Sequence, residues 1–186
     1  MYRKTIVILY GQMGSGKSRV GSQLLQLGGN WKFFEGDSLL PWYNKLFGFL
    51  CKDVYSWPWW LCFVSFFVKY LSVEYFLTGR FLKGVIRNAI KNSCTVVAQA
   101  LYFKSHRVWL ARQLRKSGFR VLYVHVKTSV EQQHQQLETR RFGFFWKWYA
   151  KLNDVHFEPG DDDIIFENSP TTFDSDLRKL NQILLV

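Results

Sequence analysis

The sequence predicts an α/β domain in which a parallel β-sheet is covered by helices on both sides. Short apolar runs alternate along the chain with segments of helical periodicity, which is typical of successive βαβ units. The first run, Thr5–Tyr10, is almost continuously apolar, as expected of a strand that is buried on both faces. A glycine-rich loop follows this run directly and leads into the first helical pattern.

The same patterns predict the individual elements. Strands are predicted over Thr5–Tyr10, Trp31–Glu35, Cys94–Leu101, Phe119–Val126 and Ile164–Glu167. Helices are predicted over Lys17–Leu27, from about Ser105 to Lys116, from a Ser129 cap to about Thr139, and from an Asp174 or Ser175 cap to about Leu184. Residues 39–92 are predicted to form a mainly helical insert on the substrate side. Because no linker or repeat interrupts the chain, residues 1–186 are predicted to form a single domain.

The composition is that of a packed and strongly basic chain. Its 186 residues are 48% hydrophobic and 18% aromatic, which excludes an intrinsically disordered protein. The formal charge of +11 favours anionic partners, namely nucleotides, nucleic acid or an acidic lipid surface. The three cysteines show no CxxC spacing, so we expect free thiols and a cytoplasmic protein. We also expect no secretory signal, because the N-terminus leads straight into a strand.

One very apolar segment, residues 57–77, allows three interpretations. A membrane span needs about 20 apolar residues, but the unbroken apolar part ends at Lys69, and Glu74 follows. The segment is interpreted as a buried or interface helix, as a helix on a membrane surface, or as a true span. Peripheral membrane contact through residues 57–77 and homo-oligomer formation therefore both stay open.

The loop between the first strand and the first helix matches the pattern G-x-x-x-x-G-K-[ST] at every fixed position. It consists of Gly11, Gln12, Met13, Gly14, Ser15, Gly16, Lys17 and Ser18. Glycines allow backbone N–H groups to surround phosphate oxygens, and the following helix directs its positive end at the same anion. Lys17 is predicted to reach the β- and γ-phosphates and Ser18 to bind Mg²⁺. The loop therefore predicts a site for ATP with Mg²⁺.

An acidic residue follows the second strand, at the edge of the sheet where α/β proteins bind ligands. Asp37 is interpreted as the acid that orients or deprotonates an acceptor hydroxyl, and as a second ligand of Mg²⁺. The alternative is that Asp37 caps the helix predicted to begin at Leu39. The two roles are compatible.

Two arginines follow the helix predicted to end near Thr139. Arg140 and Arg141 begin a basic, aromatic connector, residues 140–150, which is interpreted as a lid. Arginines on a mobile connector can close over phosphates and stabilise the charge of a transition state. The alternative is that they only complement a helix C-terminus or add solubility.

Several short sequence motifs follow one another along residues 4–170. They are the phosphate loop, Glu35–Pro41, Pro58-Trp59, Ala100-Leu101, the stretch from Leu137 through Arg140-Arg141 to Phe145, and Phe157–Pro159. In this respect the chain resembles the gluconate-kinase branch of the small P-loop kinases, relatives of shikimate and nucleoside monophosphate kinases. The resemblance implies a three-layer P-loop NTPase fold, a five-stranded parallel sheet of order 2-3-1-4-5, and ATP-dependent phosphorylation of a small-molecule hydroxyl. It also supports the roles of Asp37 and of Arg140 or Arg141.

The chain departs from that family on the substrate side. Leu40 stands where the family usually has histidine, and the stretch before Pro58 keeps Asp53 but has no arginine. A site that hydrogen-bonds a polyhydroxy acid is not served by these residues, which argues against gluconate as the acceptor.

Three functional classes therefore remain in view. The first is a kinase of a small molecule with a changed acceptor pocket. The second is a nucleotide or polynucleotide 5′-hydroxyl kinase. Residues 39–92 support this class because they are rich in aromatic residues and carry Arg80, Lys83, Arg87 and Lys91. The alternative is that these aromatic residues belong to the core. The third is a non-catalytic module that binds ATP and a membrane or protein.

Overall fold

The computed structural model describes residues 4–27, 31–36, 79, 81–92, 94–99, 104–139 and 159–185. They contain a five-stranded, wholly parallel sheet. The strands are β1 (Thr5–Tyr10), β2 (Trp31–Glu35), β3 (Cys94–Ala98), β4 (Arg120–Lys127) and β5 (Ile164–Glu167). Their order is β2-β3-β1-β4-β5, which confirms the predicted order and fold class.

Helices connect the strands in the way that right-handed parallel crossovers require. They are α1 (Lys17–Gln26), α2 (helical residues 81–91), α3 (Lys104–Lys116), α4 (Val130–Glu138) and α5 (Phe173–Leu185). Ser129 caps α4 as predicted, because its hydroxyl accepts a hydrogen bond from the Gln132 N–H at 3.2 Å. Gly118 follows α3 with a left-handed φ of 87°, a conformation in which glycine commonly ends a helix.

Three predicted boundaries are wrong by a few residues. The last helix begins at Phe173, so Asp174 and Ser175 lie in its first turn, and the Thr172 carbonyl accepts the first helical bond from Asp176 at 2.9 Å. Strand β3 ends at Ala98, which is level with Glu35 at the end of its other partner, β2. Strand β4 begins at Arg120 because the N–H of the preceding phenylalanine is bonded to Leu114 in the turn.

The central strand β1 separates two cores. On one face Val7 and Leu9 pack with residues of α1 and α5. On the other face Ile6, Ile8 and Tyr10 pack with residues of α2 and α3. Both faces of the strand are therefore dry, which is the physical reason for its continuous apolar sequence.

The described residues leave part of the predictions untouched. Asp37, Arg140, Arg141, segment 57–77, connector 140–150 and most of insert 39–92 lie outside them. Within the described ranges, no helix combines the length and the apolar content needed to cross a membrane. The single-domain organisation stays a prediction.

A close contact between α1 and β2 generates a stability test. A Cβ added to Gly21 would overlap the ring of Phe33. Although alanine is the better helix former by about 1 kcal/mol, the overlap should dominate, so we expect Gly21→Ala to lower the free energy of unfolding by about 1–3 kcal/mol. Urea unfolding measures it. Exposed Ser22→Ala is the matched control and should stay near wild type, and equal stability of the two variants would contradict the predicted overlap.

Candidate nucleotide site

The loop from Gly11 to Ser18 leaves the carboxyl end of β1 and closes on the first turn of α1. Gly14 and Gly16 have φ values of 79° and 87°, a left-handed backbone conformation that residues other than glycine rarely adopt. Gly16 occupies the cap position of α1, where no side chain bonds to the first-turn N–H groups. The first turn also contains no acidic residue. The positive end of α1 is therefore directed at the loop, as phosphate binding requires.

The side chain of Lys17 folds back across the loop. Its ammonium group donates to the carbonyl oxygens of Gly11 at 2.9 Å and Gln12 at 2.6 Å, and it lies 3.4 Å from the Ser15 hydroxyl. The cation is thus placed over the turn whose N–H groups would bind phosphate. Ser18, one residue further along α1, is exposed.

Two buried amide side chains hold the outside of the loop. The Gln133 amide nitrogen, on α4, donates to the carbonyl of Met13 at 2.9 Å, and that of Asn168, just after β5, donates to the carbonyl of Ser15 at 2.8 Å. These residues are only 2% and 1% exposed. In a trans peptide the C=O and the next N–H point in opposite directions, so holding these carbonyls orients the N–H groups of Gly14 and Gly16 away from the supports.

The same supports exclude side chains at the two glycines. A Cβ on Gly14 would lie 3.1 Å from the Leu137 side chain and 3.3 Å from the carbonyl oxygen of Gln133. A Cβ on Gly16 would overlap the amide nitrogen of Asn168. Gly16 is therefore required by packing as well as by backbone conformation, whereas a Cβ at Gly14 would need its neighbours to shift by a few tenths of an ångström.

A turn on the other side of the loop is tied to the end of β1. The Tyr10 hydroxyl donates to the carboxylate of Asp163. That carboxylate also accepts the Gly160 N–H at 2.7 Å, which closes the turn before β5. Because Tyr10 directly precedes Gly11, this bond fixes the point at which the phosphate loop begins.

Buried aromatic and cationic groups surround Tyr10. Its ring stacks on His125 with a centroid distance of 5.2 Å, and the buried Arg107 guanidinium lies 4.4 Å from its centroid. The Tyr123 hydroxyl donates to the Arg107 carbonyl at 2.7 Å. Burial raises the pKa of Tyr10 and Tyr123 and lowers the pKa of His125, so all three groups are held neutral.

The structure brings together the eight residues of the predicted phosphate loop, whereas Asp37, Arg140 and Arg141 lie outside the described residues. Glu35, two positions before Asp37, is exposed at the end of β2, on the same edge of the sheet as the loop. No group of three metal-binding side chains occurs among the residues that the structure describes. The individual roles assigned to the site residues stay predictions.

Sequence reasoning missed the supporting residues Gln133, Asn168, Tyr10 and Asp163. Gln133 looks like any polar helical residue, and Asn168 like part of a surface turn. Their burial arises from contacts across more than 100 positions of sequence, and no local pattern encodes it.

Solved structures share the fold of this chain. The APS kinase CysC of Mycobacterium tuberculosis, in complex with AMPPNP and APS, is 17% identical, with 98% of this chain and 99% of that chain covered and a TM-score of 0.61. A gluconokinase from Sinorhizobium meliloti 1021 is 18% identical, with 100% and 98% covered and a TM-score of 0.58. A shikimate kinase from Bacteroides thetaiotaomicron is 14% identical, with 98% and 99% covered and a TM-score of 0.50.

The chain has the fold of the small P-loop kinases. At these identities the likeness establishes the fold alone, so the resemblance predicted from the motifs holds at the level of the fold. No family model and no curated protein matches the sequence.

The amide support generates a binding test. Asn168→Ala removes the bond to the Ser15 carbonyl, so the Ser15–Gly16 peptide loses its fixed orientation. We expect ATP to bind about 5- to 100-fold more weakly, which corresponds to about 1–3 kcal/mol. Titration with a fluorescent ATP analogue measures the affinity. The neighbouring Ser169→Ala, which removes only a bond to Thr171, is the control, and equal affinities for the two variants would contradict the proposed support.

His125 makes stability depend on pH. Because its pKa is lowered in the folded state, the unfolded chain takes up a proton near pH 6.5 that the folded chain resists. Stability should therefore fall as the pH drops from 7.5 to 5.5, and the fall should be smaller in His125→Gln. Melting temperatures at both pH values test this expectation. Exposed His134→Gln is the control, and the same pH dependence in all three proteins would disprove it.

Proposed function

We propose that the protein is a cytoplasmic phosphotransferase that moves the γ-phosphate of ATP to a hydroxyl group of a small molecule. The observation that carries the proposal is the phosphate loop itself. Its glycine backbone is held open by buried amides, the uncapped start of α1 faces it, and Lys17 lies across it. This is a donor site for a nucleoside triphosphate.

The proposed roles on the donor side follow from these positions. The N–H groups of the loop bind phosphate oxygens, and Lys17 exchanges its carbonyl partners for the β- and γ-phosphates. Ser18, exposed at the start of α1, supplies a hydroxyl ligand of the kind that Mg²⁺ prefers, and Asp37 supplies the second. Since Mg²⁺ retains water and phosphate oxygens, two protein ligands suit it. When bound, the ion neutralises charge on the β- and γ-phosphates.

The acceptor is proposed to approach beside β2. This strand ends at Glu35 on the same edge as the loop, and Asp37 follows two positions later. The Asp37 carboxylate accepts the proton of the acceptor hydroxyl while the hydroxyl oxygen attacks the γ-phosphorus. The bond between the γ-phosphorus and the bridging oxygen breaks, and ADP leaves.

The described end of α4 supports the lid hypothesis for Arg140 and Arg141. Leu137 packs against the loop at Gly14, and α4 ends at Glu138. The chain that enters connector 140–150 therefore starts beside the phosphate site. A connector that begins there is suited to carry an arginine to the transferred phosphate.

The small-molecule acceptor is favoured by the fold neighbours. They are a gluconokinase, an APS kinase and a shikimate kinase, each named for a small molecule. The substitution of Leu40 for the usual histidine still argues against gluconate. A sugar acid, polyol or nucleoside with another arrangement of hydroxyl groups is the class to screen.

A transfer assay with labelled ATP tests the proposal. The acceptor panel contains sugar acids, polyols, nucleosides, nucleotides and 5′-hydroxyl oligonucleotides. We expect transfer to one small-molecule class and a loss of about 100-fold or more in Lys17→Met, because that cation stabilises the transferred phosphate. Lys32→Met, an exposed lysine on β2, is the matched control. Transfer only to oligonucleotides would indicate the 5′-end kinase, and ATP binding without any transfer would indicate the non-catalytic module.

Asp37→Asn separates the acceptor side from the donor side. We expect kcat to fall by about 100-fold or more, because the carboxylate acts on the acceptor proton, while the affinity for ATP measured without Mg²⁺ stays near wild type. Single-turnover kinetics and equilibrium titration measure the two quantities. Unchanged turnover in Asp37→Asn would assign this residue to helix capping instead.

A further inference from the structure

The net positive charge of this protein arises from one part of its sequence. No Asp or Glu occurs between Glu74 and Glu131. Lysines and arginines occur throughout that stretch, at Arg80, Lys83, Arg87, Lys91, Lys104, Arg107, Arg112, Arg115, Lys116, Arg120 and Lys127. Elsewhere the basic and acidic residues are equal in number, so the stretch carries the whole net charge of +11.

The fold gathers several of these cations at the edge of the sheet opposite the phosphate loop, which we call the amino edge. The strands of a parallel sheet begin at the same edge, and Thr5 is level with both Cys94 and Arg120. Helices α2 and α3 end just before β3 and β4, so their last residues lie at this edge too. The cations gathered there are all exposed: Lys4, Lys91, Arg115, Lys116 and Arg120.

One hydrogen bond confirms that these segments are neighbours. The ammonium group of Lys4, just before β1, donates to the carbonyl of Ile90, at the end of α2. Three of the five cations, Lys91, Arg115 and Lys116, lie in the last turns of helices, where the negative end of the helix dipole favours positive charge. The fold therefore brings these five cations together in one basic surface.

The acidic residues of the described part of the chain lie at the opposite edge. Glu35 and Glu167 end their strands there, and Asp163 is bonded to Tyr10 at the end of β1. The others belong to α4 beside the loop, to the turn before β5 or to the first turn of α5: Glu131, Glu138, Asp161, Asp162, Asp174 and Asp176. The described chain is thus electrostatically polar, with its positive end away from the phosphate site.

Aliphatic side chains are exposed among the cations of the amino edge. Leu25 and Leu27 lie at the end of α1, Ile90 at the end of α2 and Ile183 near the end of α5. All four are exposed, and Ile90 is exposed to 58%. Exposed aliphatic groups beside cations suit the boundary of an anionic bilayer, where the former enter the acyl region and the latter meet headgroups. Bases of nucleic acids stack instead on aromatic rings.

We propose that the amino edge docks the protein on an anionic lipid bilayer, with the phosphate loop facing the aqueous phase. The occupant is the negatively charged headgroup layer, recognised by charge and by shallow insertion of aliphatic side chains. This docking requires neither phosphotransfer nor segment 57–77, so it can be tested apart from both.

Vesicle sedimentation with the full-length protein tests the proposal. The probes are vesicles of phosphatidylcholine alone and of phosphatidylcholine with phosphatidylserine. We expect binding to the anionic vesicles only. We expect added salt to weaken this binding, because at about 0.1 M salt the attraction between exposed charges is largely screened beyond about 10 Å. Equal binding to both vesicle types, or binding to neither, would overturn the proposal.

A matched pair of charge-reversal variants locates the surface. One variant combines Lys91→Glu, Arg115→Glu and Lys116→Glu at the amino edge. The control combines Lys104→Glu, Lys127→Glu and Lys179→Glu, which change the net charge equally but lie away from that edge. We expect the first to bind anionic vesicles at least about tenfold more weakly than the control. Equal losses would show that net charge alone acts, and no loss in either would exclude the amino edge.

Two additions keep the result interpretable. Thermal unfolding and ATP-analogue binding verify that each variant is folded, and the neutral set Lys91→Gln, Arg115→Gln and Lys116→Gln should reproduce the loss with less perturbation.

For the aliphatic contribution, Ile90→Ser should weaken binding more than Ile165→Ser, a control on β5 that is 61% exposed. Stronger binding of oligonucleotides than of anionic vesicles at the same salt concentration would assign the surface to nucleic acid.

Discussion

The burial of β1 on both faces and its pairing on both sides is the constraint on which the rest of the structure depends. It is bonded to β3 and β4 and packs against two cores, so its end cannot shift without disrupting both layers. The phosphate loop begins at that end. The loop is thereby anchored to the central strand of the sheet, which is buried on both faces.

The loop itself is held from outside, by groups that never need to touch the nucleotide. Gln133 and Asn168 bind two carbonyl oxygens, and the bond between Tyr10 and Asp163 holds the entry to the loop. Such support means that little ordering remains to be done when phosphate binds, which is how preorganised sites reach high affinity. Within the described loop, Lys17 is the residue proposed to exchange its partners.

The two edges of the sheet carry opposite charges and are proposed to have different tasks. At the carboxyl edge, Lys17 lies across the loop, and Lys104 and Lys127 are paired with Asp161 and Glu167 among the other acidic side chains. At the amino edge, helix C-termini are covered by cations such as Lys91 and Lys116, with aliphatic groups between them. Docking through one edge would leave the other accessible to ATP, so the two proposed tasks are geometrically compatible.

The sequence by itself predicted the fold class, the Ser129 cap and the phosphate loop, because each depends on local chemistry or on a fixed spacing. The strand order was predicted only through the resemblance to the small P-loop kinases. The sequence misplaced the start of α5 and the end of β3, which are set by which carbonyl or strand lies nearby in space. Only the tertiary structure decided that Gln133 and Asn168 support the loop and that five exposed cations gather at the edge of the sheet opposite the described acidic residues. Those features join residues far apart in the chain, and no local pattern records such contacts.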